Sequence, residues 1–433
     1  MSLVIQHGIV GSLNIKLNKL IKRMKIVIYG INYSPDLVGV GKYTGEFGDW
    51  LSKQSHEITV ITAHPYYPSW KLNSFFDNFF YTRNKKNSTV IWRCPIYVPA
   101  KLTTVTRILH LLSFTISSIP ILIFNCFLKP DLVIQIAPTI FCAPNTLLIS
   151  KITRAKSLLH IQDFEIDALF GLNLTSIKSN NSSVKKITLN FESWILKQFD
   201  FVSTISYGML SRAKKKGVLE GRLILFPNWS EVDRFQNTKP SPELLKKLGI
   251  QPNKKVILYS GNIGEKQGLE NVILAAESML NIPDVIFLIV GDGASKTRLM
   301  QMTIDLNLSN VVFAPLQEYE DLPKLLASAN VHLVIQKRGV ADAVLPSKLT
   351  NIFAVGGNVV ITADEKTTLG ELSKEFPGIA ITVESESVSS LVQGIQQALE
   401  LEIPNQVAQA YANQYLDKEK ILSKFMKNVN LKK

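Results

Sequence analysis

Short unbroken apolar runs alternate along this chain of 433 residues with longer stretches in which apolar positions recur every three or four residues. The runs predict buried strands and the spacing predicts helices. KIVIY (25–29) is the first such run. A helix is expected over Gly41–Ser52, where Tyr43, Phe47 and Leu51 stand four apart. HEITVITAHP and STVIWRCPIYVP predict further strands, and the aromatic, irregular span Pro65–Asn87 between them predicts a long loop. KPDLVIQIAP, AKSLLHIQDFE and FDFVSTIS continue the strand series, with a polar loop expected over Thr175–Lys185 and a helix in ITLNFESWILKQ. After the polar, proline-containing stretch Gln236–Pro242 the plan starts again. KKVILYSGNIGEKQGLENVILAAESM and DVIFLIVGDGASKTRLMQM each read strand, glycine turn, helix. NVVFAPL, VHLVIQ and GNVVITAD add strands, with helices in EDLPKLLASAN and SKLTNIFAVG. QVAQAYANQYLDKEKILSKFMKNV predicts one closing helix.

Strand–helix alternation repeated in this way predicts an α/β chain of two Rossmann-like parallel-sheet domains with a cleft between them. The expected boundaries are 24–235 for the first domain, 236–404 for the second, and 405–433 for a C-terminal helix packing back on the first. Residues 1–23 read as a poorly ordered extension ahead of Met24. Their apolar stretch precedes their basic residues, the reverse of a secretory signal. The segment Ile108–Leu128 lacks Asp, Glu, Lys and Arg and reaches the roughly 20 residues of a bilayer span. Ser113, Thr115, Ser117, Ser118, Pro120 and Asn125 dilute it, and it feeds directly into a strand. It is therefore read as a buried or membrane-touching helix of a βαβ unit.

Composition narrows the chemistry. With 46% hydrophobic and 19% charged residues the chain is globular, and its net charge of +13 favours anionic partners. Clusters stand at Lys16–Lys25 and Lys214–Lys216, but no basic stripe is interleaved with aromatics, which argues against nucleic acid. Cys94, Cys126 and Cys142 form no CxxC, and the six histidines form no HExxH. Neither a disulfide framework nor a metal site is expected.

The glycines fall at the expected carboxyl ends of strands, where open α/β sheets bind ligands. GVGKYTG misses the dinucleotide spacing by one residue, the second strand ends in Thr62-Ala63-His64 without an acid, and GDGASK is no Walker loop. Gly261, Gly264 and Gly268 frame a turn before a helix, with Lys266 inside it, and Pro346-Ser347-Lys348 opens another helix. A helix N-terminus presents unpaired N–H groups to a diphosphate, and Lys348 would add a cation.

The ordered set SPDLVGVGKYTGEF, IQDFE, STISYGML, FPNWSEVDRF, YSGNIGEKQGLE, LIVGDGASKTRL, APLQEYEDL and LPSKLTNIFAVGG resembles the GT-B fold glycosyltransferases of family 4, which retain anomeric configuration. The likeness covers nearly everything from Met24 and is greatest to the colanic-acid-type exopolysaccharide enzymes of bacteria. The resemblance implies that Gly39 and Gly41 approach the donor, that Asp163 is the acidic member of a His-Asp pair, and that Gly261, Asn262, Gln267 and Gly268 hold the diphosphate. It implies roles in donor binding for Gly291, Gly293, Ser347 and Asn351 and a place near the nucleotide base for Leu316, while Lys266, one place before the family's lysine, and Lys348 are assigned catalytic roles as cations beside the diphosphate. The family pattern has Arg at position 262 and Lys at 267 in many members. Its histidine falls on Gln162, with His160 close by. Its two glutamates fall on Ala343 and Asn351, flanked by Asp342 and Lys348. The implied donor is a UDP- or GDP-linked sugar, with no cofactor or metal. The implied acceptor is a lipid-linked saccharide at the inner face of the bacterial plasma membrane. Two alternatives are an epimerase on the same fold, which needs a carboxylate pair that the sequence does not offer, and a non-catalytic membrane scaffold, suggested by the departures.

Overall fold

The computed structural model describes residues 23–35, 39–67, 70–72, 79–101, 103–164, 182–338, 346–363 and 367–431. The expected extension, apart from Arg23, lies outside these residues, as do Asp342 and Ala343. The chain falls into two compact units, 1–203 with 213–224 and 204–212 with 225–433.

The first unit is built on an eight-stranded sheet, of β1 (Lys25–Tyr29), β2 (Glu57–Ala63), β3 (Thr82–Lys86), β4 (Thr89–Cys94), β5 (Leu132–Ala137), β6 (Lys156–Ile161), β7 (Phe201–Thr204) and β8 (Leu223–Leu225), in the order β3-β4-β2-β1-β5-β6-β7-β8. β4, β2, β1, β5 and β6 pair in parallel. Every residue of β5 is buried, as a strand covered on both faces requires. The long loop expected over Pro65–Asn87 instead contains β3, antiparallel to β4. Its sequence TRNKK carries no apolar alternation because it is an edge strand whose side chains are nearly all exposed. The loop expected over Thr175–Lys185 gives way, from Ser182, to helix α5 (Ser182–Gln198).

α1 (Gly39–Lys53) follows β1, starting two residues ahead of the helix expected there. The apolar segment folds as α2 (Thr104–Ser117) and α3 (Ile119–Cys126), separated at Ser118 with Pro120 in the first turn of α3. Val105–Cys126 is long and apolar enough to cross a membrane, with mean hydropathy 1.8, yet 44% of its most apolar window is buried. Leu111, Phe114, Ile121 and Leu122 join the core formed by Val27, Tyr29 and Val133, and the Tyr29 hydroxyl lies 2.6 Å from the Ser118 hydroxyl. Val105, Leu109, Ile116, Ile123, Phe124 and Phe127 are exposed on the other side. α4 (Ala143–Thr153) and α6 (Tyr207–Lys215) complete the helices up to residue 224.

The second unit holds a six-stranded parallel sheet, of β9 (Lys255–Ser260), β10 (Val285–Val290), β11 (Val311–Ala314), β12 (Val331–Val334), β13 (Val359–Thr362) and β14 (Ile381–Val383), in the order β11-β10-β9-β12-β13-β14. After the earlier segment 204–212 the chain returns to this unit at Leu225 and stays in it, ahead of the boundary expected at 235/236; Val232 and Phe235 on α7 (Val232–Gln236) are core residues here. α8 (Pro242–Lys247), α9 (Glu270–Ser278), α10 (Lys296–Asp305), α11 (Leu322–Ala327), α12 (Ser347–Val355), α13 (Thr368–Glu375) and α14 (Val388–Leu399) connect or flank the strands. The single closing helix is two helices, α15 (Gln406–Tyr411), which runs into a π-turn over Ala412–Leu416, and α16 (Lys418–Leu431). Asp417 is extended and forms a bridge with Ser230: the Ser230 N–H donates to the Leu416 carbonyl at 2.8 Å and the Lys418 N–H to the Ser230 carbonyl at 3.1 Å. Apolar periodicity persists through this break because both pieces pack inward. Phe425 of α16 stacks on Phe226 with centroids 3.8 Å apart.

β9 adjoins both β10 and β12, whose connections run to opposite sides, so the switch point of the sheet lies at the end of β9. There the turns after β9 and β10 touch. The Gly261 N–H donates to the Val290 carbonyl at 2.9 Å and the Ile263 N–H to the Asp292 carbonyl at 2.8 Å. A Cβ on Gly291, whose φ is +149°, would lie 1.9 Å from the Gly261 carbonyl oxygen, and one on Gly293 2.4 Å from that of Ile263. No flexible side chain can yield, since the obstacle is backbone. Gly291→Ala should destabilise the protein by about 3 kcal/mol through overpacking and strain, read as a lower urea midpoint with an unchanged slope. Gly249→Ala, at φ +81° but with open space around it, should cost about 1 kcal/mol.

Candidate active site at the carboxyl edge of the second sheet

Lys348 is the second residue of α12 and comes to the end of β9. Its ammonium lies 4.0 Å from the centroid of the Tyr259 ring and 3.1 Å from where a Gly261 Cβ would stand. Gly261, at φ +148°, thus serves both the turn and the room for this cation. Among the described residues Lys348 has no carboxylate partner. Half-buried against the ring, it has its pKa lowered to about 7 by desolvation. An uncompensated, partly desolvated ammonium beside a glycine turn is a place where an anion would be stabilised.

The same edge gathers Asn262, Gln267, Gly268, Gly291 and Gly293. The exposed Asn262 reaches between Gly264 and Gly293, its side-chain atoms 2.9 Å from the Cβ position of each. Its carbonyl accepts from the Tyr259 hydroxyl at 2.6 Å. The Gln267 side chain closes its own turn, accepting from the Gly264 N–H at 3.2 Å. Gly268 is left-handed at φ +61° and Lys337 packs over it, 3.0 Å from a Cβ placed there. Lys266 is exposed in this turn, its carbonyl accepting from the Lys337 N–H at 3.0 Å. Leu316 is exposed just beyond β11 at the same edge. Ser347, also exposed, opens α12. Asn351 is spent elsewhere: buried, it accepts a hydrogen bond from the Ser230 hydroxyl at 2.8 Å.

Sequence reasoning missed the supports. The Ser295 hydroxyl, first, and Arg298 hold the Glu265 carboxyl below its usual range, and Arg298 also pairs with Glu270. The Ser295–Glu265 bond is 2.7 Å and joins the turn after β9 to the start of α10. The Lys296 ammonium donates to the Gly291 carbonyl at 3.0 Å. Tyr259 was within reach of the sequence, being the aromatic two residues before the glycine. The ion pairs were not, since they join residues about thirty apart with no periodic signature.

In the first unit, Gly39 is left-handed at φ +61° and opens α1, with Gly41 buried in its first turn. A Cβ on Gly45 would stand 2.8 Å from that of Ser34, so this glycine lets α1 lie against the loop. Arg93, buried, donates to the Ala63 carbonyl at 3.1 Å and to that of Ser34, holding the loop from below. Asp163 is exposed after β6 and borders a small recess with Phe164 and Glu192. His160 is unsuited to proton transfer. It is buried, its Nδ1 is 2.9 Å from the Ser203 hydroxyl and its Nε2 3.0 Å from the Gln162 amide, and desolvation lowers its pKa to about 3.

Residues 240–415 match the family model described as glycosyl transferases group 1. Over 408 residues, 94% of this chain and 100% of the relative, the sequence is 52% identical to the putative colanic acid biosynthesis glycosyl transferase WcaI of Escherichia coli K12. Among solved structures it is similar to sucrose-phosphate synthase from Thermosynechococcus elongatus, with a TM-score of 0.71 at 15% identity over 94% of this chain and 99% of that one. It is also similar to Anabaena HepE in complex with UDP and glucose, with a TM-score of 0.67 at 15% identity over 94% and 100%. At such identities the structural likeness establishes the GT-B fold. The extent and identity of the match to WcaI establish the family: this chain belongs to the group 1 glycosyl transferases and is a glycosyltransferase.

Proposed function

We propose that the enzyme transfers a sugar from a UDP- or GDP-linked donor to a lipid-linked or saccharide acceptor in bacterial exopolysaccharide synthesis, with retention. The observation that carries this reading is Lys348, placed without a described counter-charge beside the Gly261 turn at the switch point of the sheet. As the bond from the anomeric carbon to the diphosphate oxygen breaks, negative charge grows on that oxygen. Lys348 and the amides of the glycine turn would stabilise it. The acceptor oxygen attacks the same face and bonds to the anomeric carbon. Its proton passes to the departing phosphate oxygen, consistent with a His160 ring that is already hydrogen-bonded and buried. Lys266, exposed in the turn, would add a second cation, and Asp163 would orient the acceptor. The WcaI match supports a colanic-acid-like product.

An apolar face and basic charge support a peripheral place on the inner leaflet of the plasma membrane. The exposed side of α2 and α3 presents Val105, Leu109, Ile116, Ile123, Phe124 and Phe127, with Lys101, Arg107 and Lys129 exposed beside it. Apolar residues entering the headgroup region and cations beside them suit an anionic monolayer.

Lys348→Ala should lower turnover about a hundredfold, with a melting temperature at or above that of the wild type because a desolvated charge is removed. Wild-type turnover in this variant would take Lys348 out of the site. Thermal shifts with UDP and GDP should identify the base, and binding without turnover on any acceptor would favour the non-catalytic scaffold. Nucleotide binding should also be linked to protons. A diphosphate beside Lys348 raises its pKa from about 7, so binding at pH 8 takes up a proton and affinity falls as pH rises above 7. Calorimetry of UDP or GDP in two buffers of different ionisation enthalpy should show this uptake, absent in Lys348→Met. In flotation with phosphatidylglycerol vesicles, Phe124→Asp with Phe127→Asp should weaken binding at least about tenfold; full binding by that variant would remove this face from contact.

A further inference from the structure

A cavity of about 410 Å³ in the second unit plays no part in the chemistry above. Its wall is aromatic. Tyr411 and Tyr415 lie with centroids 4.9 Å apart, and Phe376 meets both rings edge-on, at 4.9 and 5.7 Å. Gln414 and Tyr415 come from the π-turn that interrupts the C-terminal helices, and such turns recur at functional sites. The polar lining is of a particular kind. Asn228 borders the cavity, and its side-chain oxygen is buried with no hydrogen-bond partner among the described residues. An unmade bond of that sort is costly unless a ligand or water supplies the donor. Glu371 and Glu375 on one side are matched by Lys420 and Lys424 on another. Opposed charges in equal number give little net field, which disfavours an ion and favours a neutral ligand rich in hydroxyl groups.

α12 separates this cavity from the diphosphate lysine. Thr350 lines the cavity, whereas Lys348, two residues earlier, reaches Gly261. Positions two apart on a helix do not share a face. The volume lies within the roughly 300–1,000 Å³ of small-ligand sites. Pyranose rings offer flat C–H faces to aromatic rings and hydroxyls to carboxylates and amides, the two kinds of surface present here.

We propose that this cavity binds a neutral saccharide unit, a non-reacting segment of the carbohydrate on which the enzyme acts, at a distance from the reaction centre. The inference rests on the chain being a glycosyltransferase and is independent of the donor reading. The test is saturation-transfer NMR of the full-length protein with lactose, cellobiose and maltose. At least one should show saturation transfer that persists in excess UDP or GDP and in Lys348→Ala. Tyr415→Ala should weaken it roughly tenfold through loss of the ring contact. Tyr415 is exposed but touches Tyr411 and Phe376, so this variant should stay folded with a melting temperature lowered by only a few degrees. Glu375→Gln, also at an exposed position, should weaken binding with no change of shape. Absence of transfer from all three sugars would overturn the proposal. So would displacement by the nucleotide, which would place the sugar at the donor site, or transfer unchanged in both cavity variants.

Discussion

Backbone approach at the end of β9 is the constraint from which the site follows. Two neighbouring parallel strands deliver their turns to the same edge, and those turns hydrogen-bond to each other through the Gly261–Val290 and Ile263–Asp292 contacts. At that separation there is no space for a Cβ on Gly291 or Gly293. The glycines are therefore fixed first by packing, and their bare surface is the consequence. Beside that surface Lys348 enters over the Tyr259 ring. Aromatic contact compensates only part of the desolvation of an ammonium. The remainder lowers its pKa and would be recovered when an anion arrives.

The same logic extends to the other surfaces. Phe114 and Leu122 seat α2 and α3 on the first sheet, yet Phe124 and Phe127 remain in solvent. In the second unit the aromatic cavity is bordered by an amide, that of Asn228, whose oxygen has no donor among the described residues. Each surface has its own chemistry: backbone and cation at the glycine turns, aromatic faces and an amide in the cavity, apolar side chains with basic neighbours on α2 and α3.

The succession of strands along the chain and the glycine turns were legible because both depend on local pattern. KIVIY became β1 residue for residue, and the glycines after β9 and β10 stand where strand-ending turns were expected. What was hidden had no local signature. β3 is polar because it lies at an edge. Apolar periodicity runs unbroken through Ser118 and Asp417, where the helices stop. Asn351, aligned with a glutamate of the family pattern, is held by Ser230 from far along the chain.

The sequence by itself determined two sheets of mainly parallel strands, the placing of glycines at strand ends and the surplus of positive charge, since these rest on period, residue type and composition. Only the tertiary structure decided which lysine meets the glycine turn. Lys266 lies inside that turn and is exposed, whereas Lys348, more than eighty residues away, reaches Gly261 and the Tyr259 ring. The reason is physical: desolvation and the loss of carboxylate partners are properties of a packed environment, and that environment is assembled from segments whose neighbours in sequence give no indication of it.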